Sequence, residues 1–263
     1  MMNLDLQNKN ALVCGSSQGM GKAIAVQLAK MGANVTLFAR NLEKLNEVKA
    51  ELANNGTQQH SAICADFSDT AAVAGAVDEQ LKVVSEYHIL INNTGGPAPG
   101  PANSAENEQF LAAFNQHLIN NHQISQKLIS GMKAAGFGRI INVISTSVKQ
   151  PLPNLGVSNT VRGAVASWAK TMANELGQFN ITVNNVLPGA TNTVRLEAII
   201  KNKAAKKGVS IEAMEEEEKS IIPMRRFGEA EEFANAVAFL ASPAAGYITG
   251  VSLPVDGGRT SCL

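Results

Sequence analysis

The chain alternates, almost from end to end, between short apolar runs with strand character and longer stretches whose apolar residues recur at helical spacing. Asn10-Ala11-Leu12-Val13-Cys14 stops at Gly15, and the segment from Gly21 to Met31 repeats Ile24, Leu28 and Met31 on one helical face before Gly32. Strand-like Val35–Ala39, Ser61–Ala65 and His88–Asn92 follow, separated by helix-like Leu42–Ala53 and Thr70–Lys82. Arg139-Ile140-Ile141-Asn142-Val143-Ile144 lies within a further strand expected over 138–145, and 181–187 and 252–256 supply two more. Strands this apolar are suited to burial on both faces, which a parallel sheet with helices on each side provides. The expectation is therefore an α/β fold, one doubly wound parallel sheet of Rossmann type, with residues 1–263 as a single domain; no Pro/Gly-rich linker divides it.

One stretch differs in texture. Between Leu196 and Ser220, Lys201, Lys203, Lys206 and Lys207 precede Glu215-Glu216-Glu217-Glu218. The simpler expectation is a solvated helical surface, and the sharper one is a mobile lid over a substrate pocket at 196–220.

Composition narrows the function classes. Lys plus Arg and Asp plus Glu both number 22, so no basic field draws nucleic acid or an anionic membrane. Met1-Met2-Asn3-Leu4-Asp5-Leu6 is too polar for a signal peptide, and no apolar run has the length of a membrane span. Cys14, Cys64 and Cys262 are widely spaced and odd in number, which reads as reduced thiols of a cytoplasmic protein. His60, His88 and His122 stand at no ligand spacing with Cys, Asp or Glu, so no metal is assigned. Trp168 and Met172, four apart, read as core or interface.

Between the first strand and its helix runs Gly15-Ser16-Ser17-Gln18-Gly19-Met20-Gly21. Exposed N–H groups at a helix N-terminus attract a pyrophosphate, and glycines let it approach. An acid at the end of the second strand would hydrogen-bond the ribose 2′-hydroxyl of NAD and repel a 2′-phosphate. Here Ala39 is followed by Arg40, whose guanidinium suits a phosphate, so the cofactor expected is NADP(H).

The Gly-x-x-x-Gly-x-Gly spacing resembles that of the short-chain dehydrogenase/reductase family, and the resemblance runs nearly the length of the chain. Asn92-Asn93-Thr94-Gly95 is similar to the family's Asn-Asn-Ala-Gly motif, and Pro188-Gly189 followed by Thr191 and Thr193 to the segment that holds the nicotinamide carboxamide. Segments 222–228 and 247–250, and the ending Val255-Asp256-Gly257-Gly258, are similar to its C-terminal signatures, which makes Tyr247 structural. Asp66 with Phe67 resembles the contact to the adenine ring. The likeness extends to 3-oxoacyl-(acyl carrier protein) reductase-like members. It implies cofactor contacts from Gly15, Ser17, Gln18, Gly19, Met20, Gly21, Arg40, Asp66, Phe67, Asn93, Thr94, Gly95, Arg162, Pro188, Gly189, Thr191 and Thr193. It also implies a homo-oligomer, tetramer or dimer, joined through two long helices, here expected over 104–134 and 156–178, and the C-terminal segment.

The family's chemistry rests on a serine after the fifth strand, a Tyr-x-x-x-Lys pair on the next helix and a supporting asparagine. Ser145 matches the serine, but no tyrosine occurs between Tyr87 and Tyr247. Ser158-Asn159-Thr160-Val161-Arg162 aligns with the pair, so the phenol has become a hydroxyl and the amine a guanidinium. His117 aligns with the asparagine. A serine is a far weaker acid than a phenol, and a guanidinium holds its proton. Three repairs are open. His117 donates the proton; or Ser145 and Ser158 orient a carbonyl while Arg162 stabilises the oxyanion; or Arg162 binds an anionic substrate group. The expected function is NADP(H)-dependent reduction of a small-molecule carbonyl (or oxidation of the alcohol), the substrate anionic or an acyl thioester. The alternative is a non-catalytic NADP(H)-binding sensor or partner subunit.

Overall fold

In the computed structural model, which describes residues 2–262, seven strands form one parallel sheet in the order β3-β2-β1-β4-β5-β6-β7. They are β1 (Asn10–Cys14), β2 (Asn34–Ala39), β3 (Ser61–Cys64), β4 (Ile89–Asn92), β5 (Gly138–Val143), β6 (Ile181–Pro188) and β7 (Ser252–Val255). Each coincides with a run expected from the sequence to within two residues at either end. Met1, at the head of the polar leading segment, lies outside the described residues.

Strand β1 shows why the apolar runs are continuous rather than alternating. Ala11 and Val13 point into one layer, with Ile24, Leu28, Val237 and Leu240. Leu12 and Cys14 point into the other, with Leu90, Ile124, Leu128 and Ala169. Successive side chains on a strand face opposite ways, so both parities must be apolar when helices cover both faces. The first layer carries α1 (Gly19–Lys30), α2 (Leu42–Glu51) and, pairing with α1, α9 (Ala230–Ala241). The second carries α3 (Thr70–Leu81), α5 (Asn120–Ala134) and α6 (Gly156–Leu176). No helix among the described residues is long and apolar enough to cross a membrane.

Near their C-terminal ends the central strands are laced by buried amides. Asn92 donates to Asn142 (2.9 Å), Asn142 to Asn185 (3.0 Å) and Asn185 to the hydroxyl of Ser252 (3.1 Å). This ladder spans β4 to β7 and fixes their relative register, because a slipped strand would leave buried amides unpaired.

The segment expected as one helix over 104–134 is broken. Helix α4 (Asn107–Phe114) passes through a π-helical turn, Asn115–Ile119, before α5 begins. The charged stretch folds as two helices, α7 (Val194–Lys207) and α8 (Ile211–Ser220), packed over Ile200, Ala204, Met214, Ile222 and Phe227. Lys203 pairs with Glu218 at 2.6 Å and Lys207 with Glu217, so the opposed charge runs face each other across the helix pair.

Candidate active site

The sheet order reverses direction between β1 and β4, and at such a switch point the strand ends leave a crevice. A cleft of about 440 Å³ opens there. Of the residues expected at a cofactor, Gly15, Ser17, Gln18, Gly19, Met20, Gly21, Arg40, Asp66, Phe67, Asn93, Thr94, Gly95 and Thr193 line it.

The glycines are there for two separate reasons. Gly15 has a φ of 62°, and a Cβ on it would come 2.3 Å from the carbonyl oxygen of Asn93; on Gly21 it would come 2.1 Å from that of Gly15. These two let the loop close on itself and on the turn after β4. Gly19 also has left-handed backbone, at 55°, yet a Cβ there would meet only Thr193 across the cleft at 3.5 Å. Asn93 straps the loop from below, its amide donating to the carbonyls of Cys14 (3.3 Å) and Gly15 (3.2 Å). Ser16, buried, accepts from the Phe38 amide and ties the loop to β2.

The N-terminus of α1 has neither a side-chain cap nor an acid in its first turn. The first amides of a helix have no partner within it, and here they are left facing the cleft with their dipole unopposed. A pyrophosphate fits such a cradle. At the β2 end, exposed Arg40 lies close enough to Asp66 to help hold that carboxyl below its usual range, behind the larger effect of hydrogen bonds from Ser68.

Beyond the loop lie the residues matched to chemistry. Ser145, half-buried, caps the short turn after β5 and accepts from the Ser147 amide at 3.0 Å. Ser158 and Arg162 lie one turn apart near the start of α6, and so share a face. Arg162 is buried, donates from Nη1 to the carbonyl of Val143 (3.1 Å), and is pushed down to about 10 by burial and by the charge of Arg195. His117 sits in the π-helical turn, 1% exposed, with Nδ1 2.6 Å from the hydroxyl of Thr94 and Nε2 without a partner. Burial first, then the charges of Arg162 and Arg195, pull it from the ordinary 6.5 to about 2. It is neutral at any ordinary pH.

Four expected contacts do not reach the cleft wall, buried Arg162 among them. Pro188 ends β6, and Gly189 is packed so closely on the C-terminal segment that a Cβ would come 2.5 Å from Cα of Asp256. Thr191 turns into a separate pocket of about 100 Å³ beside Arg226, Glu229 and Glu232. Residues absent from the sequence reading do reach it: Gly96, Gln116, Val194 and Arg195. Gln116 reaches it from within the π-turn, a distortion that periodicity does not reveal. Arg195 stands in the first turn of α7, whose start is fixed by the Thr193 side chain accepting from the Leu196 amide.

A doubly wound sheet with a phosphate-type cradle at its switch point and a serine, a guanidinium and an imidazole clustered beyond it is the architecture of a dinucleotide-dependent enzyme. A family model described as enoyl-(acyl carrier protein) reductase matches residues 15–260. The chain belongs to the short-chain dehydrogenase/reductase family. It is 35% identical over 259 residues to the NADPH-dependent reductase BacG of Bacillus subtilis (strain 168), covering 98% of this chain and 100% of that one. Among solved structures it is similar to YwfH, an NADPH-dependent reductase involved in bacilysin biosynthesis, with a TM-score of 0.92 and 34% identity over 97% of this chain and 99% of that one. The L-sorbose reductase of Gluconobacter frateurii, complexed with NADPH and L-sorbose, gives 0.93 and 29%, covering 100% of each chain.

Proposed function

We propose that this protein is an NADP(H)-dependent oxidoreductase that reduces a small-molecule carbonyl compound, or oxidises the corresponding alcohol, with Ser145, Ser158 and Arg162 as its centre. The observation that carries this is the continuity of the site. An uncapped helix start and an exposed guanidinium at the β2 end share one cleft with Thr94 and Arg195, and these two bear on buried His117 and Arg162 behind its wall. Similarity to NADPH-dependent reductases over nearly the full chain supports the same reading.

The first amides of α1 hold the pyrophosphate, Arg40 holds the 2′-phosphate, and Asp66 with Phe67 borders the adenine. The bound cofactor supplies a hydride. The hydroxyls of Ser145 and Ser158 donate to the carbonyl oxygen, and Ser158 is free to do so because nothing else among the described residues engages its side chain. Arg162 stabilises the charge that grows on that oxygen; a preorganised cation in a water-poor site is the effect that replaces a strong general acid. His117, neutral, does not carry the proton; through Thr94 it braces the turn after β4 against the α4–α5 helix. The proton reaches the alkoxide from water through the serine hydroxyls. Without a matched general acid the rate falls short of a phenol-equipped centre by about 10²–10⁴.

The long helices and the C-terminal segment join copies of this chain into a dimer or tetramer, a reading supported by exposed Leu111, Phe114, Tyr247 and Leu253. Helices α7 and α8 form the lid. The cytoplasm is the expected compartment.

Purified protein is tested for NADPH oxidation against a broad carbonyl panel. Turnover with some carbonyl is expected. Tight NADPH binding with no turnover on any compound would favour the second reading, a non-catalytic cofactor-binding subunit, for which the absence of a group that titrates near neutrality in this centre speaks.

A further inference from the structure

The centre holds more positive charge than a hydride transfer to a neutral ketone needs. Arg162 is 6% exposed, and among the described residues no carboxylate lies within salt-bridge distance of it. Five N–H donors stand on its guanidinium, and one carbonyl, that of Val143, accepts from it. A buried guanidinium is ordinarily paired, since burial without a counter-charge is costly. Instead the charged neighbour that bears on it is a second cation, Arg195. Arg195, exposed at the cleft, has no acidic partner among the described residues, and its Nη2 lies over Gly96, where a Cβ would come within 2.8 Å of it. The charges of both bear on the imidazole of His117, whose Nε2 is buried and has no partner among the described residues. A buried cation, a second cation at the cleft and a ring nitrogen without a partner form a polar cluster that, among the described residues, has no anion.

For Arg162 and His117, which do not line the cofactor cleft, the anion is not the pyrophosphate, whose seat is the start of α1 on the glycine loop; Arg195 borders both. Arg162 lies one helical turn beyond Ser158 and shares its face of α6. We infer that Arg162, Arg195 and the Nε2 of His117 form a subsite for a carboxylate on the substrate, placed next to the carbonyl that Ser145 and Ser158 receive. The substrate class is then an oxo acid. Arg162 takes the carboxylate through its planar fork, which matches two oxygens, and Arg195 closes over it from the rim of the cleft. An acyl thioester, which puts a neutral sulfur where the carboxylate would lie, fits this subsite poorly. The inference rests on the reductase reading for the role of the serines, and stands apart from it for the binding of the anion.

The test uses 2-oxohexanoate and its methyl ester, which share an activated carbonyl and differ in charge. At saturating NADPH, kcat/KM of the wild type is expected to favour the acid by about 10–150-fold, the range of a charge-assisted hydrogen bond. Arg195→Gln is expected to shrink that ratio at least about fivefold, chiefly through KM for the acid. A wild type that takes the ester as well as the acid overturns the inference, as does an Arg195→Gln variant that slows both equally. Calorimetric titration of the NADP⁺-loaded protein with the same pair separates the two claims. Binding of the acid, with no turnover of either compound or of any carbonyl in the broad panel, would sink the reductase reading and leave the carboxylate subsite standing. Equal binding of acid and ester, or of neither, would sink the subsite.

Discussion

If His117 is neutral in the folded protein, acid should weaken the fold by an amount that can be worked out. Its proton affinity is pulled from the ordinary 6.5 to about 2, first by burial and then by Arg162 and Arg195. A histidine with a depressed folded value stays neutral in the native state while the unfolded chain takes up a proton below 6.5. Its contribution is therefore fully present above that pH and is lost as pH falls toward 2. One pH unit of mismatch corresponds to about 1.4 kcal/mol, so at pH 5 the loss is about 2 kcal/mol, or about 4–8 °C in Tm for a domain of this size. The assay is urea or thermal unfolding at pH 7 and pH 5 for the wild type and His117→Asn. Buried His88, whose proton affinity is also lowered by burial, destabilises both proteins alike in acid and cancels in the comparison. The wild type should lose about 2 kcal/mol more than the variant between the two pH values. Equal losses would refute the assignment, and so would a kcat–pH inflection between 6 and 7 that the variant abolishes, since His117 would then be carrying a proton in the reaction.

Further outcomes follow from other parts of the site. Arg40→Asp should weaken NADPH binding by about 10–150-fold, the range for a charge-assisted hydrogen bond, and improve NADH binding; a fluorescence titration showing an unchanged preference would remove Arg40 from the phosphate. Gly21→Ala would push a Cβ to 2.1 Å from the Gly15 carbonyl oxygen, so NADPH affinity should fall more than tenfold with a lower Tm. Gly75→Ala, in the exposed middle of α3 with nothing within 4 Å of the added carbon, should instead stabilise by about 0.5–1 kcal/mol. Amides of Val194–Lys207 should exchange more slowly with NADPH and an oxo acid bound; exchange indifferent to ligands would argue against α7 as a lid.

The strands were legible because burial on both faces writes itself as a run of apolar residues, as in Ile140-Ile141 and Val183 with Val186 and Leu187. The glycine loop was legible because its backbone tolerates no side chain at Gly15 or Gly21. The π-helical turn at Asn115–Ile119 was not, since the turn packs with α4 against α6, a tertiary contact that local periodicity does not carry. Arg195 escaped notice for a related reason: it belongs to no motif, and it acts because the start of α7 is carried over Gly96. The charge runs of 196–220 announced helices but not each other, and only folding shows Lys203 opposite Glu218. Helix α9 had signals that the pattern of strands overshadowed, a Glu229–Glu232 capping box and six buried apolar residues. Thr191 shows the limit of carrying positions over by motif, because two residues from Thr193 it faces a different pocket.

The account stands or falls on whether Ser158 and Arg162 are a working replacement for a phenol and an amine. The direct measurement is NADPH turnover on a carbonyl substrate by the wild type and by the double variant Ser158→Tyr with Arg162→Lys. The wild type is expected to turn over, and the double variant to lose activity on an oxo acid, because the amine does not reproduce the guanidinium's fork in a pocket shaped around it. An inactive wild type whose activity appears only in the double variant would contradict the account and mark the natural site as one that binds the cofactor without using it.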